Sequence, residues 1–266
     1  MKTGYYKNIS NANYHASEGI SKSGLDLIHQ SPALYLWSKN APYDEDNRKA
    51  LDMGTAFHTL ILEPDTFNER FAISPEKSPR NTKKGREKWA EFEAQLNDRT
   101  PITKEDYKKL FLMRDSALAH PHIKWLIEAN GEVETSIYWN EETTGELAKC
   151  RPDKLLIDSS CLVDIKTTSE LNRIDKSFIE YRYHVQDVWY SAGYKAQFNE
   201  QLDTFLFVVV STVLNCGRYP VRIFELPIEA KEQGERDYLE DIKTYSECKR
   251  TGNWGGIETL NLNLEQ

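Results

Sequence analysis

The chain has 266 residues, enough for one sizeable α/β domain with a real core, or for a core plus a small helical lobe. Its 34 basic residues against 42 acidic ones leave a formal charge of −8, which argues against a broad basic surface and confines any nucleic-acid contact to locally clustered cations. No apolar run of about 18 residues is present and the N-terminus carries no signal-peptide pattern, so neither membrane spanning nor secretion is expected.

From the N-terminus the pattern is helical. Ser21 or Ser23 caps a helix through about Gln30, and Ser31-Pro32 opens a second. A third, over Lys49 to Leu62, puts His58 on one face with Leu51, Gly54, Thr55, Ile61 and Leu62; small residues one turn earlier would let a backbone or an ion approach. The stretch Pro75 to Gly85 reads as a long loop leading into a helix through about Leu96. Arg80, Lys83, Lys84, Arg86 and Lys88 cluster there, just before Trp89. Two readings stand for that cluster: a phosphate-contacting loop, or a solvated one with no ligand. Thr103 to His120 is a further amphipathic helix, and Ile123 to Glu128 leads into the sheet. Strands are predicted near 132–139, 146–153, 154–158 and 161–167, then a helix over Ser177 to Phe198. Strands near 204–212 and 219–225, a charged helix from about 228 to 249 and an irregular tail after Gly252 complete the chain. The expectation is an α/β mixed central sheet flanked by helices, in one domain over 1–266. Residues 1–130 are mainly helical, 131–250 hold the core sheet and helices, and 251–266 form the tail.

Chemistry concentrates in Arg151-Pro152-Asp153 and, after ten intervening residues, Asp164-Ile165-Lys166-Thr167-Thr168. Lys154 to Ile157 and Cys161 to Ile165 read as a β-hairpin, so Asp164 and Lys166 share one face and Val163 and Ile165 the other. With Ser159-Ser160 as a two-residue loop, Asp153 lies across from Lys166 and Leu155 across from Asp164; a one-residue slip would send Asp153 to the opposite face. The following helix carries Gln186 and Tyr190 four apart on one face, where Gln orients a water or phosphate and Tyr offers a hydroxyl or a stacking surface. Two carboxylates that hold a hard divalent cation, beside a lysine that serves the attacking water, suit phosphodiester hydrolysis. The barrier must fall by on the order of 15–20 kcal/mol, well beyond what one general base supplies.

That order of residues matches the proline-aspartate, then acid-x-lysine signature of metal-dependent nucleases. From Gly4 to about Leu260 the chain closely resembles the C-terminal nuclease domain of the RecE exonucleases, within the restriction-endonuclease-like PD-(D/E)xK superfamily. The matching text includes Gly19-Ile20-Ser21-Lys22-Ser23, Pro32-Ala33-Leu34-Tyr35-Leu36-Trp37, Leu51-Asp52-Met53-Gly54-Thr55-Ala56-Phe57-His58, Cys150-Arg151-Pro152-Asp153-Lys154, Tyr181-Arg182-Tyr183-His184-Val185-Gln186-Asp187 and Cys216-Gly217-Arg218-Tyr219-Pro220. The long N-terminal extension of some relatives is missing here, so a stand-alone nuclease or an excised domain is expected.

The resemblance implies a restriction-endonuclease-like fold. It also implies a magnesium-dependent enzyme, with Mn2+ able to substitute, that degrades one strand of linear double-stranded DNA from its 5′ end. The product is a 3′ overhang for a RecT-like single-strand annealing protein. By motif, Asp153 and Asp164 resemble the metal-binding carboxylates, Lys166 the catalytic lysine, and Gln186 and Tyr190 the motif that lines the site from the next helix. His58 resembles a metal histidine from an N-terminal helix, and the Ile165 backbone carbonyl is a further ligand. Glu134 either joins the ion, directly or through water, or is a surface glutamate on an edge strand. Arg182 and His184 are further candidates for phosphate contact. Whether Lys166 orients or deprotonates the nucleophile or stabilises charge, and whether one or two ions take part, stay open at this stage. Some nuclease relatives hold an iron-sulfur cluster with one cysteine near the N-terminus, but here no cysteine precedes Cys150, so no cluster is expected. Cys150, Cys161, Cys216 and Cys248 read as reduced thiols in a bacterial cytoplasm, in a bacterial or phage-encoded protein. A ring-shaped homo-oligomer is expected from the resemblance. Two alternatives share these residues: a structure-specific endonuclease, and a non-catalytic DNA-end-binding or recombinase-loading module.

Overall fold

Two apolar runs, Cys161–Thr168 and Thr204–Ser211, lie side by side as parallel strands at the centre of the molecule, buried along most of their length as strands covered on both faces must be. This computed structural model describes residues 2–42, 53–75 and 80–257. In chain order its elements are β1 (Gly4–Tyr6), α1 (Asn11–Ala16), α2 (Lys22–Gln30), α3 (Pro32–Asn40), α4 (Met53–Leu62), α5 (Phe67–Arg70), β2 (Phe71–Ile73), α6 (Lys83–Gln95), β3 (Thr100–Ile102), α7 (Lys104–Leu118) and α8 (Pro121–Glu128). Then follow β4 (Glu132–Val133), β5 (Ser136–Asn140), β6 (Leu147–Cys150), β7 (Lys154–Leu156), β8 (Cys161–Thr168), α9 (Ile174–Glu180), α10 (Tyr183–Phe198), β9 (Thr204–Ser211), β10 (Val221–Phe224) and α11 (Ile228–Thr251). The expected start of the His58 helix at Lys49, with Leu51, lies outside the described residues, as does the part of the basic loop at 76–79.

Helix starts follow local chemistry. Ser21, rather than Ser23, caps α2, accepting the Gly24 amide, and Thr103 caps α7, accepting the Asp106 amide at 2.8 Å. Pro32 and Pro121 occupy the first turns of α3 and α8, where a missing N–H costs nothing. Gly252, at φ 72°, ends α11 in a left-handed cap.

The central sheet runs β10-β9-β8-β7-β4, with β8 and β9 parallel and the other pairs antiparallel. One face, with Val163, Ile165, Val208 and Val210, packs on Phe57, Leu60, Leu110 and Met113 of α4 and α7. The other, with Leu155, Leu162, Phe205, Phe207 and Val209, packs under Tyr194 of α10 and Ile174 of α9. Helix α10 is enclosed on its far side too, because Trp189 joins Trp139, Ile20, Leu25 and Ile242 in a separate core. A fully buried tryptophan at that junction anchors the helix; truncation to alanine at such a site costs about 3–5 kcal/mol.

Four expectations need correction. The hairpin pairs Lys154 with Val163 and Leu156 with Cys161, leaving Ile157 to Ser160 as a four-residue connection with Ser160 at φ 42°. Asp153 therefore stands across from Asp164, not Lys166; the shift is two residues, so every side chain keeps its face. The strand near 132–139 is broken at Glu134 (φ 51°): β4 stays in the central sheet, whereas β5 leaves it for a separate sheet of order β1-β5-β6. The strand near 146–153 ends at Cys150, and the helix over Ser177 to Phe198 is two helices broken at Tyr181-Arg182. Among the described residues no helix is long and apolar enough to cross a membrane.

Candidate active site

Asp153 sits at the bend before β7 and Asp164 in mid-β8, 8% and 3% exposed, because both point under α10. Asp153 Oδ2 accepts the Ile165 N–H at 2.5 Å, and Oδ1 lies 3.5 Å from His58 Nδ1. Burial pushes the Asp153 carboxyl above its ordinary value, against the pull of His58, and the charge of Asp164 adds to the rise. Asp164 Oδ1 accepts from Gln186 Nε2 at 2.5 Å. The Lys166 ammonium pairs with Asp164 Oδ2 at 2.7 Å. Burial alone would lower the Lys166 pKa, but Asp164 and Asp153 outweigh it and hold the ammonium above its ordinary value. Between these carboxylates, Lys166 is thus a held proton and a positive charge.

Glu134 completes the cluster by an uncommon route. Its left-handed backbone turns the chain out of β4, its N–H donates to the Asp153 carbonyl at 3.1 Å, and its carboxylate comes to His58 and Asp153. Ligand atoms of His58, Glu134 and Asp153 lie within 4.8 Å of one another. Burial and then Asp153 push the Glu134 carboxyl up to about 7, opposed by His58 and Arg151. Two carboxylates and an imidazole converging at one point, with the Asp164 carboxylate beside them, fit a divalent cation with hard oxygen preference. An ion bound there neutralises phosphate charge and lowers the pKa of a water. Of Ile165, the contact in the structure is its N–H to Asp153.

A cleft of about 670 Å³ opens over Glu134, Asp153, Asp164, Lys166, Gln186 and Tyr190, and a cavity of about 710 Å³ reaches His58 and Glu134 from the other side. Tyr190 packs on Phe205, and burial keeps its phenol protonated well above the ordinary range. Arg182 lines the cleft wall, but its guanidinium is spent on Asp26 at 3.2 Å and Asp241 at 2.5 Å. The position is a buried ion pair at the break between α9 and α10. His184 likewise pairs with Asp237 at 2.9 Å. Arg80 lies over the Trp89 ring at 3.9 Å and pairs with Glu93 at 3.2 Å, while Lys83, Lys84, Arg86 and Lys88 are exposed at the start of α6. None of these five is among the residues lining the cleft.

Sequence reasoning gave no role to Arg151, Tyr14 or Lys22. Arg151 donates to Ser136 Oγ and, at 2.7 Å, to the Ile9 carbonyl, and lies 4.4 Å over the Tyr14 ring, so it fixes the floor beside Glu134. Its place inside the motif was the available signal; Tyr14 and Lys22 join through tertiary contacts that no local pattern encodes.

Residues 21–258 match the family described as a PDDEXK-like domain of unknown function, DUF3799. The chain belongs to this family. Among solved structures, it is similar to a candidate exonuclease from Eubacterium rectale, with a TM-score of 0.61 and 11% identity over 93% of this chain and 88% of that one. It is also similar, at a TM-score of 0.36 and 10% identity, to a phage-related exonuclease from Haemophilus somnus 129PT, over 91% of this chain and 100% of that one. No curated protein matches the chain. The first likeness shows the fold, and with the family match it makes this a PDDEXK-like mixed α/β domain.

Proposed function

We propose that this PDDEXK-like protein is a magnesium-dependent exonuclease. It removes nucleotides 5′ to 3′ from one strand of linear double-stranded DNA and leaves 3′ overhangs for recombination by strand annealing with a RecT-like protein. The observation that carries the reading is the meeting of His58, Glu134 and Asp153 within 4.8 Å, with Glu134 and Asp153 sharing one cleft with the Lys166–Asp164–Gln186 chain. The donor set suits Mg2+, with Mn2+ as a substitute. Gln186 holds Asp164 oriented, and Lys166 delivers charge or a proton at the scissile phosphate. End-directed cutting is supported by the exonuclease description of the Eubacterium rectale structure, and its 5′ polarity by the RecE-like text alone.

The protein is read as cytoplasmic and as a ring-shaped homo-oligomer around its DNA. Light scattering should then give a mass several times 30.9 kDa, and a stable monomer would sink that part. Function is tested with linear duplexes labelled at either end and a closed circular plasmid, in Mg2+, with Asp164→Ala as control. Loss of the 5′ label, an intact circle and an inert mutant are expected. A cut circle would make the enzyme an endonuclease; DNA binding without cleavage would make it a non-catalytic end-binding module.

A further inference from the structure

The outer rim of the cleft carries a feature the cleavage chemistry does not use. Ile179 and Tyr181 are 73% and 54% exposed, yet both line the same cavity as Asp164 and Lys166. Tyr181 is the outermost ring of an aromatic column. It stacks on Tyr183 (centroids 5.8 Å, interplanar 29°), Tyr183 stacks on Phe207 (5.5 Å, 23°), and Phe178 meets Tyr183 edge-on at 5.0 Å. Phe207 is fully buried, so the column runs from the core to water and ends in an open aromatic ring. Lys166 Nζ lies 5.0 Å from the Tyr183 centroid, which ties the column to the reacting end of the cleft.

The rim is held in place. Arg182 adopts a left-handed conformation (φ 50°, ψ 48°), which is strained for a non-glycine residue, and two carboxylates clamp its guanidinium. The Lys22 ammonium donates to the Tyr181 carbonyl while pairing with Asp26 at 2.7 Å. A strained turn with three ionic tethers thus projects two apolar side chains into water. Strain of this kind concentrates where a ligand is clamped.

We propose that the Tyr181 ring, with Ile179 beside it, is a platform on which an unpaired nucleobase flanking the scissile phosphate stacks; this rests on the nuclease reading above. Every base has a π-face, so such a platform is indifferent to sequence, as degradation of arbitrary DNA requires. Lys22 and Lys166 line the same cleft, 5.9 and 5.0 Å from the Tyr183 ring centroid, where the sugar-phosphate of that nucleotide would run. A paired terminal base offers only its outer face, held in the plane of the end pair, whereas an unpaired base can swing out to lie flat on the ring, so the platform favours a frayed end over an intact one.

The test is a thermodynamic cycle on binding, with Ca2+ replacing Mg2+ to keep the DNA intact. Fluorescence anisotropy gives Kd for duplexes ending in one unpaired nucleotide, with its base or abasic, against wild type, Tyr181→Ala and Tyr181→Trp. Removing the base should weaken wild type and Tyr181→Trp on the order of tenfold, and Tyr181→Ala by about twofold or less. Equal losses in all three overturn the platform. A change in oligomeric mass of Tyr181→Ala by light scattering also overturns it, because the ring would then be covered by a second copy. The expected coupling without cleavage in Mg2+ upholds the platform and sinks only the nuclease reading; no DNA binding at all sinks both.

Discussion

At the scale of single residues, what sets the site apart is the unfavourable environment of its acids. Glu134 spends backbone strain at φ 51° to bring a third ligand to His58 and Asp153, and its carboxyl is pushed up to about 7 by burial. A cation relieves that penalty, so calorimetric Mn2+ affinity should fall about tenfold or more in Glu134→Gln and in His58→Ala; an unchanged affinity would place the ion elsewhere. Asp187, next to Gln186 on α10, is 1% exposed, and Lys231 is 3.7 Å from its Oδ2. Burial pushes its carboxyl from 3.8 up to about 6, against Lys231 and Ser191. The folded chain therefore holds this proton more tightly than the unfolded chain. The group's stabilising contribution is full below about pH 4 and is lost as pH rises through about 6, a change of roughly 3 kcal/mol. Asp187→Asn has no such proton to lose. Its melting temperature should be flatter than wild type between pH 4 and 7 and higher at pH 7.5, and an identical pH slope in the two proteins would refute the assignment.

Among elements, α10 is the one on which everything converges, and its closest neighbour is α11. A Cβ built on Gly234 would meet the His184 carbonyl oxygen at 2.3 Å, so α11 crosses the start of α10 at a distance only glycine permits. Gly234→Ala gains about 1 kcal/mol of helix propensity but must push two backbones apart, and overpacking against rigid backbone costs about 1–3 kcal/mol or more. The clash wins: the melting temperature should drop by several degrees, and with it activity, as Gln186 shifts off Asp164. A variant melting like wild type would show that the crossing relaxes. How legible these elements were depended on where their causes lie. The cap at Ser21 or Ser23, the helix beginning near Thr103 and the alternation of Asp164 and Lys166 against Val163 and Ile165 are local, and they were readable. The breaks were not. Arg182 turns left-handed because Asp26 and Asp241 capture its guanidinium from 156 and 59 residues away, and Glu134 because Asp153 captures its amide. The hairpin register was missed because Ser159-Ser160 does not announce a tight turn, whereas the two-residue shift left the acidic face intact.

For the whole molecule, the question is how a chain of net charge −8 holds a polyanion. The cleft does not answer it unaided. Lys22, Lys166 and Arg182 line it, but each pairs with a carboxylate of Asp26, Asp164 or Asp241, and Arg151 is committed to Ser136 and Ile9. With Asp26, Glu134, Asp153, Asp164 and Glu180 also on its walls, the cleft attracts cations first and phosphate only once cations are in place. Remaining attraction must come from charges outside it, and Lys83, Lys84, Arg86 and Lys88 at the start of α6 are exposed and grouped. If they track the duplex beyond the site, changing all four to Gln should lower the slope of log Kd against log salt by about 0.9 for each phosphate no longer neutralised. Cleavage of a short duplex held at saturating concentration should change little, since none of the four lines the cleft. A slope identical to wild type would return this helix to solvent. The DNA would then be gripped mainly through divalent ions, and affinity would follow metal concentration rather than monovalent salt.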